Sequence, residues 1–517
     1  EQKKAALRIL SSLVSPAYMT APTLLPLIIL EMVNLSFTYG NDPLSSFAYG
    51  LYGLLLSGVL GDIDTGYQFG KLALNIVEKF QANYLKTKIN YTVGAHILYG
   101  KHHLKEVLPL LKEGYAKGLE TADLEMGYSA KEISQISYLM GKELTELEKE
   151  INTYSQALIH VKQYAALNYN RIIHQVVLNL LGNQPDNCRF LGEVYNEEEM
   201  LPLHESASDR NGLHYFYFHK MIICYLFGEN DQALINAQEA EKYLDAVTGM
   251  INVPMFYFYD ALIRLAIYPK LDSIEKAKYW EKIEYNQEKI EVYATHSPEN
   301  FLHKFYLIEA EKLRVMNQNV QALEAYKQAI ILAADNNYIN EEAIAQELIT
   351  KVYLSLGKVK VAQTYMIDAY YNYANWGAKA KIEQLEKTYP QLLMAIVQQN
   401  QNNILHSTQI TTITSSTSGT SQKILDLSSI LKASQAISQE IVLENLLSTL
   451  MQIVIENAGA EKGVLILAQS TGLFVEVIAS NNPIKINLLP SVSLYASNEV
   501  PISIINYCYR SQETLLF

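Results

Sequence analysis

The sequence has few cysteines, no excess of basic charge, no uninterrupted apolar run of membrane length and no phosphate-cradling motif. Each absence removes a class of function. The three cysteines, Cys188, Cys224 and Cys508, lie far apart and show no C-x-x-C or Cys/His spacing. A disulfide framework or zinc site is therefore not expected, and buried thiols in a reducing compartment fit better. Lys and Arg number 41 against 54 Asp and Glu, a net charge of −13. Neutralising phosphates needs clustered Lys and Arg, so this balance argues against nucleic acid as a partner. Leu24–Leu30 is apolar but contains Pro26, and Phe47–Leu60 is about 14 residues long and broken by glycines. A span needs about 20 residues, so both stretches are expected to be buried helices, with no membrane span and no signal peptide.

Catalytic signatures are missing as well. Kinase chemistry needs a Gly-rich loop, an H-R-D-type loop and a D-F-G motif to hold nucleotide, base and metal; none occurs. The nearest approach to a P-loop is Gly66-Tyr67-Gln68-Phe69-Gly70-Lys71-Leu72, one residue short and without the terminal hydroxyl. It is expected to be a turn and helix of a repeat. His102 and His103 are adjacent, so on a helix they point apart and chelate poorly. His406 sits in a polar stretch without the acidic neighbour a phosphoacceptor usually has. No catalytic residue, metal ligand or cofactor-binding residue is assigned.

Hydrophobic residues make up 49% and charged residues 18%, ample for a buried core, and 517 residues suggest more than one domain. From residue 1 to about 397 apolar positions recur at three and four, the helical spacing. Four segments follow short breaks and open with alanine at the same point. Ala233, Ala277, Ala322 and Ala362 stand 44, 45 and 40 residues apart. Helices are predicted before each break, at Tyr215–Phe227, Met255–Ile267, Phe301–Met316 and Ile344–Leu356. Gly228 and Gly357 at two breaks are matched by Asn317 and by Tyr268-Pro269 at the others, and a further unit is expected at Gly50–Phe80. The pattern resembles degenerate tetratricopeptide repeats, in which a small residue lets paired helices approach and stacked pairs share a core. The expected fold is mainly α, a superhelix of helix–turn–helix units, with sub-arrays near 1–200 and 201–397. Tyr215–Phe218 and Phe256–Tyr259 are dense aromatic clusters. They would suit a peptide groove, but inter-helix core is the more economical expectation.

The grammar changes after residue 397. Residues 398–423 are rich in Gln, Asn, Ser and Thr and nearly free of charge, and are expected to be a linker. Ile424–Ala458 is amphipathic, and Gly463–Ala468 and Leu473–Ala479 predict a β-hairpin. A short helix through Tyr507 and a strand at Leu515–Phe517 would follow, an α+β order. The run LDLSSILKASQAISQEIVLENLLSTLMQIVIENAGAEKGVLIL (Leu425–Leu467) resembles the opening of the GAF domain of cyanobacterial-type multi-sensor kinases. Tyr507, Arg510 and Glu513 in PISIINYCYRSQETLLF match a Tyr-x-x-Arg-x-x-Glu pattern of the same domain. Cys508 is followed by Tyr509 rather than His, so bilin attachment is not expected.

The resemblance implies a C-terminal α+β partial GAF domain over 424–517, in a chain that holds the middle of a larger Ser/Thr and histidine kinase hybrid. The beginning at Glu1 and the end at Phe517 fit a fragment. It further implies a cytoplasmic signal-transduction segment without catalysis of its own. The helical repeats would contact proteins, either peptides or neighbouring kinase and NTPase domains. The GAF part would sense an unidentified small ligand or mediate homodimerisation. The alternative is a stand-alone interaction scaffold whose GAF-like end senses nothing.

Overall fold

The computed structural model describes residues 2–182 and 186–394, together with Ile396, Met451, 460–469, 472–481, 484–494, 500–502, Ile505 and Tyr509. The chain divides into two units, Glu1–Leu405 and His406–Phe517.

The first unit is helical. Its N-terminal half comprises α1 (Gln2–Thr20), α2 (Leu25–Tyr39), α3 (Ser45–Leu54), α4 (Ile63–Lys79), α5 (Lys86–His96), α6 (Leu104–Thr121), α7 (Met126–Leu139), α8 (Leu144–His160) and α9 (Tyr164–Leu180). The short α10 (Glu197–Ser206) leads into α11 (Arg210–Leu226), α12 (Asn230–Glu241), α13 (Asn252–Ile267) and α14 (Ser273–His296). Then come α15 (Pro298–Val315), α16 (Asn319–Asp335), α17 (Ile339–Ser355), α18 (Val359–Trp376) and α19 (Lys379–Thr388).

The helix pairs of the second half are those the alanine spacing predicts: α11–α12, α13–α14, α15–α16 and α17–α18. Three breaks turn on a left-handed residue, Gly228 (φ 82°), Asn317 (φ 60°) and Gly357 (φ 71°). Asn317 replaces glycine there because Asn tolerates that conformation. The fourth break is a 3₁₀ turn, Tyr268–Lys270, and an Asp272–Glu275 capping box starts α14 after it. Ala233, Ala322 and Ala362 are fully buried between paired helices. Ala277 is not: it is exposed, and the first buried residue of α14 is Ile283. The opening turns of this 24-residue helix meet α13 and the 3₁₀ turn through Lys276, Tyr279 and Trp280, which face Tyr268 and Arg264, so Ala277 there marks a helix start and not a contact.

In the α3–α4 pair glycine takes alanine's place. A Cβ on Gly53 would stand 2.7 Å from the Gly66 carbonyl oxygen, and one on Gly66 would collide with the Ser57 hydroxyl. A Cβ on Gly70 would lie 3.1 Å from Ile97. The unit expected at Gly50–Phe80 is the α3–α4 pair, with a π turn at Leu55–Val59 and Asp62 capping α4 through the Thr65 amide.

The helices at the centre are buried almost all round. In α7 every residue except Tyr128 is buried, and α13 buries thirteen side chains, whereas α12 buries four. A helix apolar or packed on all sides belongs inside, and one with a single apolar stripe outside. The halves are tied by Asn300, which is fully buried. Its Oδ1 accepts from the Leu104 amide at 3.0 Å and the Tyr338 hydroxyl at 2.7 Å. Its Nδ2 donates to the Tyr99 and His102 carbonyls at 2.9 and 2.8 Å.

The apolar stretch near the N-terminus is longer than Leu24–Leu30. Among the described residues Pro22–Tyr39, 18 residues of mean hydropathy 1.3, is by length and composition sufficient to cross a membrane. In the fold α2 buries Ile29, Met32, Val33, Leu35 and Ser36, and leaves Leu27, Leu30 and Phe37 exposed, as is Leu24 just before it. The expectation of a wholly buried helix is thus corrected to a half-buried one.

The second unit holds an antiparallel sheet of β1 (Lys462–Gln469), β2 (Gly472–Asn481) and β3 (Ile484–Ser493) in the order β1-β2-β3. The predicted hairpin is β1–β2. The third strand was not predicted, because Pro490 interrupts its alternation. Proline is accommodated there because the pairing of β3 with β2 shifts between Val475 and Val477, opposite that proline. Val475, Val477 and Ala479 form a buried face, and Met451 packs on Val477 and Ala479. The predicted linker, the remaining residues of 424–459, the strand at Leu515–Phe517, and His406, Tyr507, Cys508, Arg510 and Glu513 lie outside the described residues.

Candidate functional site

The aromatic clusters are core. Tyr215, Phe216 and Phe218 on α11 and Phe256, Phe258 and Tyr259 on α13 are buried, with Tyr217 and Tyr257 half-buried. The space that a peptide would need is filled by the chain's own α7. Lys131 sits 3.7 Å from the Tyr215 ring centre and pairs with Glu132 at 3.0 Å, and His219 meets Gln135 at 3.0 Å. A second buried cluster joins Lys304 and Glu341 at 2.7 Å, with His303 on the same carboxylate. Burial, then Lys304, lowers His303 to about 4, so it is neutral at physiological pH. These groups pair with each other inside the fold and line no open space a peptide could enter.

The histidine pair lies in the turn before α6 and not on a helix, and its two rings have different partners. His102 Nε2 meets the Tyr67 hydroxyl at 2.7 Å and Nδ1 meets Glu106 at 2.9 Å. His103 caps α6 through Nδ1 and reaches the Asn336 carbonyl through Nε2 at 2.9 Å. No cluster with metal-ligand geometry occurs among the described residues. The string from Gly66 to Leu72 is interior to α4, where its glycines serve helix contact and cradle no phosphate.

Two groupings escaped the sequence. Cys188 and Cys224 are brought together: the Cys224 thiol, then burial, push the Cys188 thiol up. No local spacing could signal this, because Cys188 lies in the irregular segment after α9.

The other is a cavity of about 360 Å³ where the α11–α12 turn, α17 and α19 meet. Leu226, Ile344 and Leu348 supply apolar wall, and Tyr225, Glu347 and Lys351 supply polar groups. Glu347 is held by buried Lys381 at 3.0 Å, by Lys351 at 3.3 Å and by the Tyr373 hydroxyl at 3.1 Å. Burial favours its neutral acid, yet Lys381 and Lys351 outweigh burial and keep its carboxyl at about 2. The Tyr225 hydroxyl is buried without a hydrogen-bond partner. Gly228 and Asn230, at the start of α12, reach the rim, and no side chain caps that helix. In sequence Glu347 and Lys351 are an ordinary i,i+4 pair, indistinguishable from a solvated one.

Fold and interior together define a helical-hairpin repeat protein with a closed core and an appended sheet-bearing unit. No family model matches the chain. It is distantly similar to the hybrid signal transduction histidine kinase G of Dictyostelium discoideum, 21% identical over 501 residues, covering 75% of this chain. The chain spans 14% of that protein's length. Among solved structures yeast Tom70 aligns over 75% of this chain and 92% of its own, at 12% identity and a TM-score of 0.29. The Cut9–Hcn1 hetero-tetramer of the APC/C aligns over 88% of this chain and 94% of its own, at 12% identity and a TM-score of 0.23. The fold description rests on the chain's own helix pairing.

Proposed function

We propose that this chain is a non-catalytic, cytoplasmic regulatory and scaffold segment of a signal-transduction kinase. The helical unit makes protein–protein contacts with neighbouring kinase or NTPase domains of a longer polypeptide. The sheet-bearing unit is the opening of a GAF-type domain that senses a small ligand or supports homodimerisation. The observation that carries this reading is the similarity to a hybrid histidine kinase over 75% of the chain. The helical unit supports it chemically. Its central helices are packed against one another, so contacts with partners fall to the outer helices and the loops, where exposed side chains remain.

The test is a pair of assays on the purified chain. Incubation with labelled ATP should give neither hydrolysis nor autophosphorylation, and robust turnover would sink the assignment. Expressed separately, the kinase domain of the longer polypeptide should bind this chain. A kinase domain that does not bind in calorimetry would refute the scaffold role. For the sensing role, a completed sheet-bearing domain should gain melting temperature with its ligand.

A further inference from the structure

We propose that the cavity between the α11–α12 turn, α17 and α19 binds a small amphipathic carboxylate that carries a hydroxyl at its far end. Lys351 would receive the anionic head and Tyr225 the hydroxyl. The first argument is an unpaired group. A buried hydroxyl without a partner costs roughly 1–3 kcal/mol, and Tyr225, 9% exposed, presents one in the wall of a space large enough for a small molecule.

The second argument is charge. Among the lining residues Glu347 is the acid and Lys351 the cation, and Glu347 pairs with both Lys351 and buried Lys381. One positive charge is therefore in excess at the site. The uncapped amides at the start of α12 add to it, since an α-helix N-terminus attracts anions.

The third argument is the order of the groups. Lys351 is 47% exposed and so stands at the mouth, while Tyr225, at 9%, lies further in together with Leu226 and Ile344, at 5% and 4%. A molecule charged at one end, with an apolar body and a hydroxyl at the other, matches that order.

The probe is 4-hydroxyphenylacetate, with phenylacetate lacking the hydroxyl and 4-hydroxybenzyl alcohol lacking the charge. Calorimetry on the full chain should show saturable binding of the first, about five-fold weaker binding of the second and about ten-fold weaker binding of the third. Lys351→Gln should weaken both acids about ten-fold and leave the alcohol unchanged. Tyr225→Phe should abolish the preference of 4-hydroxyphenylacetate over phenylacetate. Because it removes only an unpaired oxygen, that variant should melt no lower than the parent, which separates a binding defect from a folding one. The proposal is overturned if neither acid saturates by about 10 mM. It is equally overturned if all three probes bind alike, or if both variants bind like the parent.

Discussion

Three of the hairpins in residues 210–394 close on alanine, and the α3–α4 pair closes on glycine. Ala233, Ala322 and Ala362 are fully buried at their crossings. Gly53, Gly66 and Gly70 occupy the equivalent crossings of α3 with α4 and of α4 with the segment after α5, where even a methyl group meets backbone or Ile97. Both residues let backbones approach, but they differ in what else they do. Alanine favours the helix it sits in, whereas glycine costs it about 1 kcal/mol. The glycine crossings can be tighter, and the helices around them must be held by their neighbours. The irregular turns of the first half, a π turn and several 3₁₀ segments, fit that dependence.

Acid is the strongest way to ask whether this difference makes two folding units or one. His96 lies in the first half and His214 and His303 in the second, and burial lowers them to about 4, 3 and 4. The unfolded chain takes up protons at these side chains from about pH 6.5, while the folded chain resists until about pH 4. Stability is therefore intact above 6.5 and falls as pH drops toward 4, by on the order of 3 kcal/mol for each histidine. Urea titrations between pH 7 and 4 should show both halves lost together. If protease cuts one half while the other keeps its circular dichroism, they are separate units.

Asn300→Ala attacks the tie between the halves directly. It leaves the Leu104 amide, the Tyr99 and His102 carbonyls and the Tyr338 hydroxyl without this partner. A loss of about 4 kcal/mol is expected, since each stranded buried group costs about 1–3 kcal/mol and water recovers part. Hydrogen exchange should rise around 99–104 and 336–341 together. A loss below about 1 kcal/mol would mean the halves cohere without it.

The same contrast explains what was legible in the sequence. Three hairpins of the second half announced themselves because alanine, aromatic spacing and a left-handed Gly or Asn agree with the helical pattern. In the first half the glycines of Phe47–Leu60 look like breaks, although Gly50 and Gly53 sit within α3. The resemblance of Gly66–Leu72 to a phosphate loop is a by-product of the same packing. The cavity was invisible for a different reason. Tyr225, Glu347 and Lys351 come from two helices more than a hundred residues apart, and nothing local marks them. In the sheet-bearing unit β1 and β2 were clear from their alternation, and β3 was hidden by Pro490.

Gly66→Ala and Ala322→Gly measure the contrast residue by residue. The first adds a methyl that must displace Ser57 and the Gly53 carbonyl, and should cost about 2–3 kcal/mol. The second removes a buried methyl from α16 and loosens the helix, for about 1–2 kcal/mol. Equal costs in urea unfolding would show that the glycine crossings have room to spare.

The smallest effect has the opposite sign to the histidines. Burial, then Glu342, raises Asp368 on α18 to about 6. In the unfolded chain it ionises near its ordinary value of about 3.9. The folded state thus holds the proton more tightly, and its contribution is fully present below about pH 4 and lost as pH rises through 6. Asp368→Asn removes that loss. At pH 7.5 it should stabilise the protein by about 1 kcal/mol, discounted for the partial exposure of the side chain. At pH 4 the variant and the parent should melt alike. Because α17–α18 is one of the most regular hairpins, its packing should hold that proton in place; a variant that gains nothing at pH 7.5 would mean that neither burial nor Glu342 holds the Asp368 proton in the folded hairpin.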